Sequence, residues 1–163
     1  MHCVTVCRVL KCLDMIQVKH FELAELASKT DPAAWAHMRL GTVLKLEKAR
    51  EIYGQPITIT HAFRTRADVD RLRRAGYEVA ADSAHQHGYA VDISANLGTE
   101  IEAWKKLLDA LWQAGFRRFG IMRGAIHVDD DPKRLAPAVW KYSTTSAQVW
   151  VWAQGWMDNK REV

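Results

Sequence analysis

Between Asp82 and Ile93 the chain reads Asp-Ser-Ala-His-Gln-His-Gly-Tyr-Ala-Val-Asp-Ile, which brings two histidines, a glycine and a carboxylate to the entrance of a strand-like segment. A further histidine arrives in Ile126-His127-Val128-Asp129. Imidazole nitrogen and carboxylate oxygen are the usual zinc donors in catalytic sites, where three protein ligands leave a fourth position for water. His85, Asp92 and His127 meet that requirement. Residue types alone leave His87 as an alternative to His85. Surface histidines beside a strand-end carboxylate would be the ordinary explanation of such a segment. The fixed pattern Ser83-x-His85-x-x-Gly88-x-Ala90-x-Asp92, followed by His127-Val128-Asp129, favours a metal site instead.

Other groups are placed to assist. Residues two apart on a strand share a face, so Asp129 projects to the same side as His127 and is the first candidate general base, or else a partner that orients His127. His61 and Arg64 follow the end of another strand-like segment, and His61 and His87 are further candidate bases. Arg64 suits substrate or oxyanion binding, because a planar guanidinium pairs well with a carboxylate.

These residues need elements to hold them. Asp31-Pro32 supplies a helix cap and first-turn proline, and Trp35, Leu40, Val43 and Leu44 follow at roughly helical spacing until Gly54; Glu47 interrupts the apolar stripe. Ile57 to Thr60 alternates apolar and polar residues and reads as a strand. Arg66 to Ala75 reads as a short helix closed by Gly76, the stretch through Asp82 as irregular, and Gly88 to Ser94 as a buried strand. Thr99 and Glu102 form a capping box for a helix carrying Ile101, Trp104, Leu108 and Leu111, which Gly115 stops. Phe119 to Met122 and Ala125 to Asp129 read as two strands joined by a tight turn at Arg123-Gly124. Trp140, Trp150, Trp152 and Trp156 concentrate beyond Pro132, suited first to core packing, and also to sugar rings or self-association.

With 163 residues, 48% hydrophobic and 26% charged, the chain can bury one substantial core, and no linker or repeat divides it. The expected class is α+β: a small antiparallel sheet with flanking helices. The expected division is an N-terminal extension over 1–14, the site-bearing domain over 15–142 and a tryptophan-rich tail over 143–163. Net charge is +4, but the basic residues are scattered. Arg71, Arg73 and Arg74, the densest run, read as a solvated helix face, and no nucleic-acid signature accompanies them. Cys3, Cys7 and Cys12 lack CxxC spacing and later partners, so they read as reduced thiols. Residues 1–14 lack a basic n-region and a small-residue cleavage site and are too short to span a bilayer, and Met15 reads as a plausible start. The expectation is therefore a protein without signal peptide or membrane span. The oligomeric state is left open.

The Ser-x-His-x-x-Gly-x-Ala-x-Asp pattern and the His-Val-Asp strand resemble the zinc D-Ala-D-Ala carboxypeptidase and murein endopeptidase family, related to lysostaphin-type peptidases and the Hedgehog signalling domain. The resemblance runs from about Phe21 to Trp140. Gly54 to Thr65 is similar to the family's strand and Ser-Gly-Tyr-Arg segment, and Gly120 to Asp129 to its last ligand strand. It implies a Hedgehog/DD-peptidase-like fold and a zinc (Zn2+) peptidase acting on the peptidoglycan stem peptide. The implied ligands are His85, Asp92 and His127, and the implied substrate-orienting arginine is Arg64. It also implies an enzyme made in the cytoplasm that acts at the cell wall, as a phage or prophage lysis protein does. Three departures stand out. His61-Ala62 replaces Ser-Gly, Arg73 to Asp82 lacks the Asn and Gly-Gly common before the motif serine, and Gly124 occupies the position, three before the last histidine, where many relatives carry the base. A non-catalytic zinc module is the alternative that Gly124 favours.

Overall fold

The computed structural model describes residues 18–77, 79–94, 97 and 100–162. The three cysteines, the residue 1–14 extension, Met15 and the proposed cap residue Thr99 lie outside them. Five strands form one sheet: β1 (Thr58–His61), β2 (Ala90–Ser94), β3 (Arg118–Met122), β4 (Ala125–Asp129) and β5 (Ala138–Lys141), in the order β1-β2-β4-β3-β5. All pairings are antiparallel except β3 with β5. The helices are α1 (Leu23–Leu26), α2 (Leu40–Tyr53), α3 (Arg66–Arg74), α4 (Ile101–Ala114) and α5 (Ala147–Arg161). The class is thus α+β, a mostly antiparallel sheet with flanking helices, consistent with a Hedgehog/DD-peptidase-like fold. No helix among the described residues is long and apolar enough to cross a membrane.

Strand alternation gives the sheet two unlike faces. Ile59, Val91, Ile93, Phe119, Ile121, Ile126 and Val128 enter the apolar core, joined by Val43 and Leu46 of α2, Trp104, Leu107, Leu108 and Leu111 of α4, and Val149, Ala153, Trp156 and Met157 of α5. The alternate residues, Asp92, Arg118, Gly120, His127, Asp129 and Trp140, are in register on the other face. A β-bulge in β1 between Ile59 and His61 brings His61 opposite Asp92. Without that extra residue Thr60 would take the position, so the bulge moves an imidazole onto the polar face.

The single helix expected from Asp31 to Gly54 is two elements. Pro32–His37 is a 3-10 segment capped by Asp31, Met38 and Arg39 are extended, and α2 starts at Leu40. A tertiary contact favours the break: the Arg39 N–H donates to the Gly88 carbonyl at 3.0 Å. Glu47 interrupts the apolar stripe because it accepts from the His20 backbone at 3.0 Å and pairs with the His20 ring at 2.8 Å. α4 begins at Ile101 with Glu100 in the cap position and no side-chain cap bond. The last segment, which sequence patterning left unassigned, forms β5 and α5.

Asp109 of α4 ties α5 to the domain. It accepts from Lys105 at 2.8 Å, from Lys160 at 2.9 Å and from the Trp156 indole N–H at 3.0 Å. Burial alone would raise its pKa, but the hydrogen bonds from Lys105, Lys160 and Trp156 outweigh that and lower it to about 2. The folded value lies below that of the unfolded chain, so the stabilisation is complete above about pH 4 and is lost as pH falls toward 2. Replacement of Asp109 by Asn should cost about 1–2 kcal/mol at pH 7, after allowance for solvent screening of a partly exposed group, and the difference from wild type should vanish near pH 2. Urea melts at several pH values measure this; an Asp109→Asn deficit that does not shrink on acidification would refute it.

Candidate metal centre

His85 sits in a one-turn 3-10 segment, Ala84–His87, closed at its start by a reciprocal Ser83–Gln86 capping box and at its end by Gly88 in the left-handed region, φ +76°. A Cβ on Gly88 would lie 2.2 Å from the His37 carbonyl oxygen, so only glycine lets this turn dock there. The turn is tied to the segment after β1 by the Arg64 N–H, which donates to the His85 carbonyl at 3.2 Å. Asp92 and His127 face each other in register on β2 and β4.

Three donor atoms converge. His85 Nε2 is 3.1 Å from Asp92 Oδ1 and 3.1 Å from His127 Nδ1, and His127 Nδ1 is 2.9 Å from Asp92 Oδ1. All three residues are buried, and the group can hold a metal ion. The outer hydrogen bonds determine which ring nitrogens are bare. His85 Nδ1 is 2.6 Å from the Ala62 carbonyl, which only accepts, so Nδ1 carries the proton. His127 Nε2 is 3.3 Å from Asp129 Oδ2, a carboxylate that can hold the proton on Nε2 and leave Nδ1 to a metal. With their protons on the outer nitrogens, the two neutral rings aim two lone pairs and a carboxylate oxygen at one point. That arrangement is repulsive unless something positive occupies it.

Burial opposes charge on His127, yet hydrogen bonds to Asp129 and Asp92 more than offset it and raise its pKa. Burial lowers the pKa of His85 against the pull of Asp92. Burial would raise Asp92, but the histidines hold it well below the usual carboxylate range. Donors on a tetrahedral ion with bonds of about 2.0–2.1 Å stand roughly 3.3–3.4 Å apart. The observed spacing is a few tenths of an ångström short of that, so the residues fit such an ion.

Each carboxylate here has its own arginine. The other oxygen of Asp92 accepts from Arg64 Nη2, and the buried Arg64 Nε has no hydrogen-bond partner among the described residues. Asp129, 1% exposed, accepts from Arg118 Nε at 2.8 Å and from the Asp131 N–H at 3.3 Å. Burial would raise the Asp129 pKa, and His127 and Arg118 lower it. His61 Nδ1 is 3.9 Å from Asp92 Oδ2, and its side chain is one-third exposed; burial, then the charge of Arg64, lowers its pKa. His87, the rival to His85, points elsewhere and pairs with exposed Asp82. Gly124 lies in the β3–β4 turn at φ +67° with open space where a Cβ would be.

Arg118, Trp140 and Tyr142 complete the surroundings; Trp140 was expected first in core packing, and residue types singled out neither Arg118 nor Tyr142. The Trp140 ring lies 5.5 Å from that of His127, with the Arg118 guanidinium 5.2 Å over it. Arg118 was readable: a two-residue turn at Arg123-Gly124 forces Arg118 opposite Asp129. No local signal marks the parallel register that brings Trp140 to Gly120.

Residues 19–129 match the model of the Peptidase M15 family, more than half of the chain and all three converging donors. The chain belongs to the peptidase M15 family. As an M15 member it belongs among metal-dependent peptidases, and its buried His85-Asp92-His127 group can hold the metal such a peptidase needs. No curated protein and no solved structure matched the chain.

If Asp129 sets the His127 tautomer in this M15 member, Asp129→Asn should weaken divalent-metal affinity by about 10–100-fold while the fold persists. An amide no longer demands a proton on Nε2, so the metal-facing nitrogen can be protonated instead. Competition with a chromophoric chelator measures this, and unchanged affinity would rule out the tautomer argument.

Proposed function

We propose that this chain is a zinc-dependent peptidase that hydrolyses peptide bonds in bacterial peptidoglycan, of carboxypeptidase or endopeptidase type. The observation that carries the reading is the convergence of His85 Nε2, Asp92 Oδ1 and His127 Nδ1 with their outer sides already satisfied. Two nitrogens and one carboxylate oxygen are a donor set that suits zinc with an open position. The peptidoglycan substrate rests on the resemblance of the Ser83 to Asp92 and His127-Val128-Asp129 motifs to zinc D-Ala-D-Ala carboxypeptidases and murein endopeptidases. The same resemblance supports action at the cell wall.

Zinc, when bound, supplies Lewis acidity toward a peptide carbonyl and acidifies a water molecule. The remaining roles fall to the protein. Asp129 and the Ala62 carbonyl hold the two imidazoles with their lone pairs inward. Asp129, expected first as the base, is enclosed by His127, Arg118 and the Asp131 N–H, and we assign it the orienting role. His61 is assigned proton transfer: it is partly exposed beside Asp92, and burial and the Arg64 charge favour its neutral form. The Arg64 guanidinium, beside Asp92, is assigned to pair with a carboxylate on the leaving residue. Asp92 and Asp129 are balanced by Arg64 and Arg118, so a bound dication leaves net positive charge for a developing oxyanion.

Gly124 favours a second reading, a module that binds zinc without cleaving. Hydrolysis of purified peptidoglycan separates the two. Release of peptide fragments should disappear with chelator, return on adding zinc, and be absent in His127→Ala. In His61→Asn, zinc should stay bound while kcat falls about 10²- to 10⁴-fold. Stoichiometric zinc with no cleavage of any muropeptide by the wild type would favour the module.

A further inference from the structure

Gly120 is in register with His127 on one side and Trp140 on the other. A Cβ there would come within 2.7 Å of Tyr142 Cε2 and 2.8 Å of Trp140 Cε2 and Nε1. The missing side chain therefore lets two aromatic rings lie across β3 toward His127. The two ring centroids stand 6.5 Å apart, tilted by 54°. The Tyr142 backbone N–H is held at 3.0 Å by the Ile121 carbonyl. Both rings remain part-exposed. This aromatic edge lies in residues 138–142, beyond the residues matched by the family model.

The sheet order sets direction. Arg64 and His61 lie at the β1 side of the three donors, and Trp140 and Tyr142 at the β5 side. Strands stand about 4.8 Å apart and an extended peptide advances roughly 3.3–3.6 Å per residue, so about two residues reach from the donors to β1; on the other side the Trp140 ring lies 5.5 Å from that of His127, within reach of the first residue. Accepting the role assigned above to Arg64, the carboxyl side of the scissile bond lies toward β1. The amino side must then lie over β3 and β5.

We propose that Trp140 and Tyr142 form the subsite for the substrate residue on the amino side of the scissile bond. The indole face receives its aliphatic side chain, and the Tyr142 hydroxyl donates to its backbone carbonyl. A rigid aromatic wall next to the donors gives contact area at little entropic cost. Arg118, held by Asp129 and stacked on the indole, keeps the ring in place.

The test uses the zinc-loaded full chain and two peptides of one muropeptide sequence, one with glycine in place of the aliphatic residue on the amino side of the scissile bond. For wild type, the glycine peptide should show kcat/KM lower by about tenfold, mostly through KM. In Trp140→Ala the aliphatic peptide should fall to the level of the glycine one, with zinc content unchanged, and Trp140→Phe should recover part of the difference. Tyr142→Phe should give an intermediate loss. Cleavage in which Trp140→Ala discriminates between the peptides as wild type does would overturn the subsite while leaving the peptidase reading intact. If neither peptide is cleaved, that reading fails, and calorimetric binding of the same peptides decides the subsite: a preference for the aliphatic side chain that is lost in Trp140→Ala upholds it, and equal affinities reject it.

Discussion

Electrostatic frustration at one point, between two imidazole lone pairs and a carboxylate oxygen, is the constraint on which the rest of the structure depends. It exists because the outward nitrogens are already engaged, His85 by the Ala62 carbonyl and His127 by Asp129. If either outer acceptor is removed, the ring can turn its proton inward and the frustration is relieved. His85 and His127 keep Asp92 ionised, and His127 with Arg118 keeps Asp129 ionised, in a buried setting that would otherwise favour their neutral forms. The protein thus builds a concentrated negative potential and shields it from bulk water.

The fold serves that arrangement through the two faces of one sheet. Its apolar face is clamped by α2, α4 and α5, so the strands cannot slip without exposing Phe119, Ile121, Ile126 and Val128. Register held that firmly keeps Asp92, His127 and Gly120 in line. Two local departures then adjust the polar face: the β1 bulge swings His61 toward Asp92, and the absent side chain at Gly120 opens room for the aromatics of β5.

Much of this is legible in the amino-acid sequence. The spacing of Ser83, His85, Gly88, Ala90 and Asp92 is readable because a turn of one length feeding a strand leaves no freedom in where those side chains fall. α4 and the β3–β4 hairpin were equally plain, since Gly115 and Arg123-Gly124 punctuate strong periodicity. The break at Met38-Arg39 was hidden because a contact with Gly88, far along the chain, overrides local helical preference. β5 escaped notice because a short parallel edge strand has no turn to announce its partner. α5 was missed as a helix because its tryptophans fall on several sides, of which Trp156 is buried and Trp150 and Trp152 only partly so. The orienting position of Asp129 depended on Arg118, whose part is visible only once the hairpin register is counted out.

Anomalous scattering at the zinc edge from crystals grown with the metal tests the central claim most directly. The account predicts one peak between His85 Nε2, Asp92 Oδ1 and His127 Nδ1, at about 2.0–2.1 Å from each. A peak coordinated by His87, or no peak at the three donors in protein soaked with excess zinc, would contradict it.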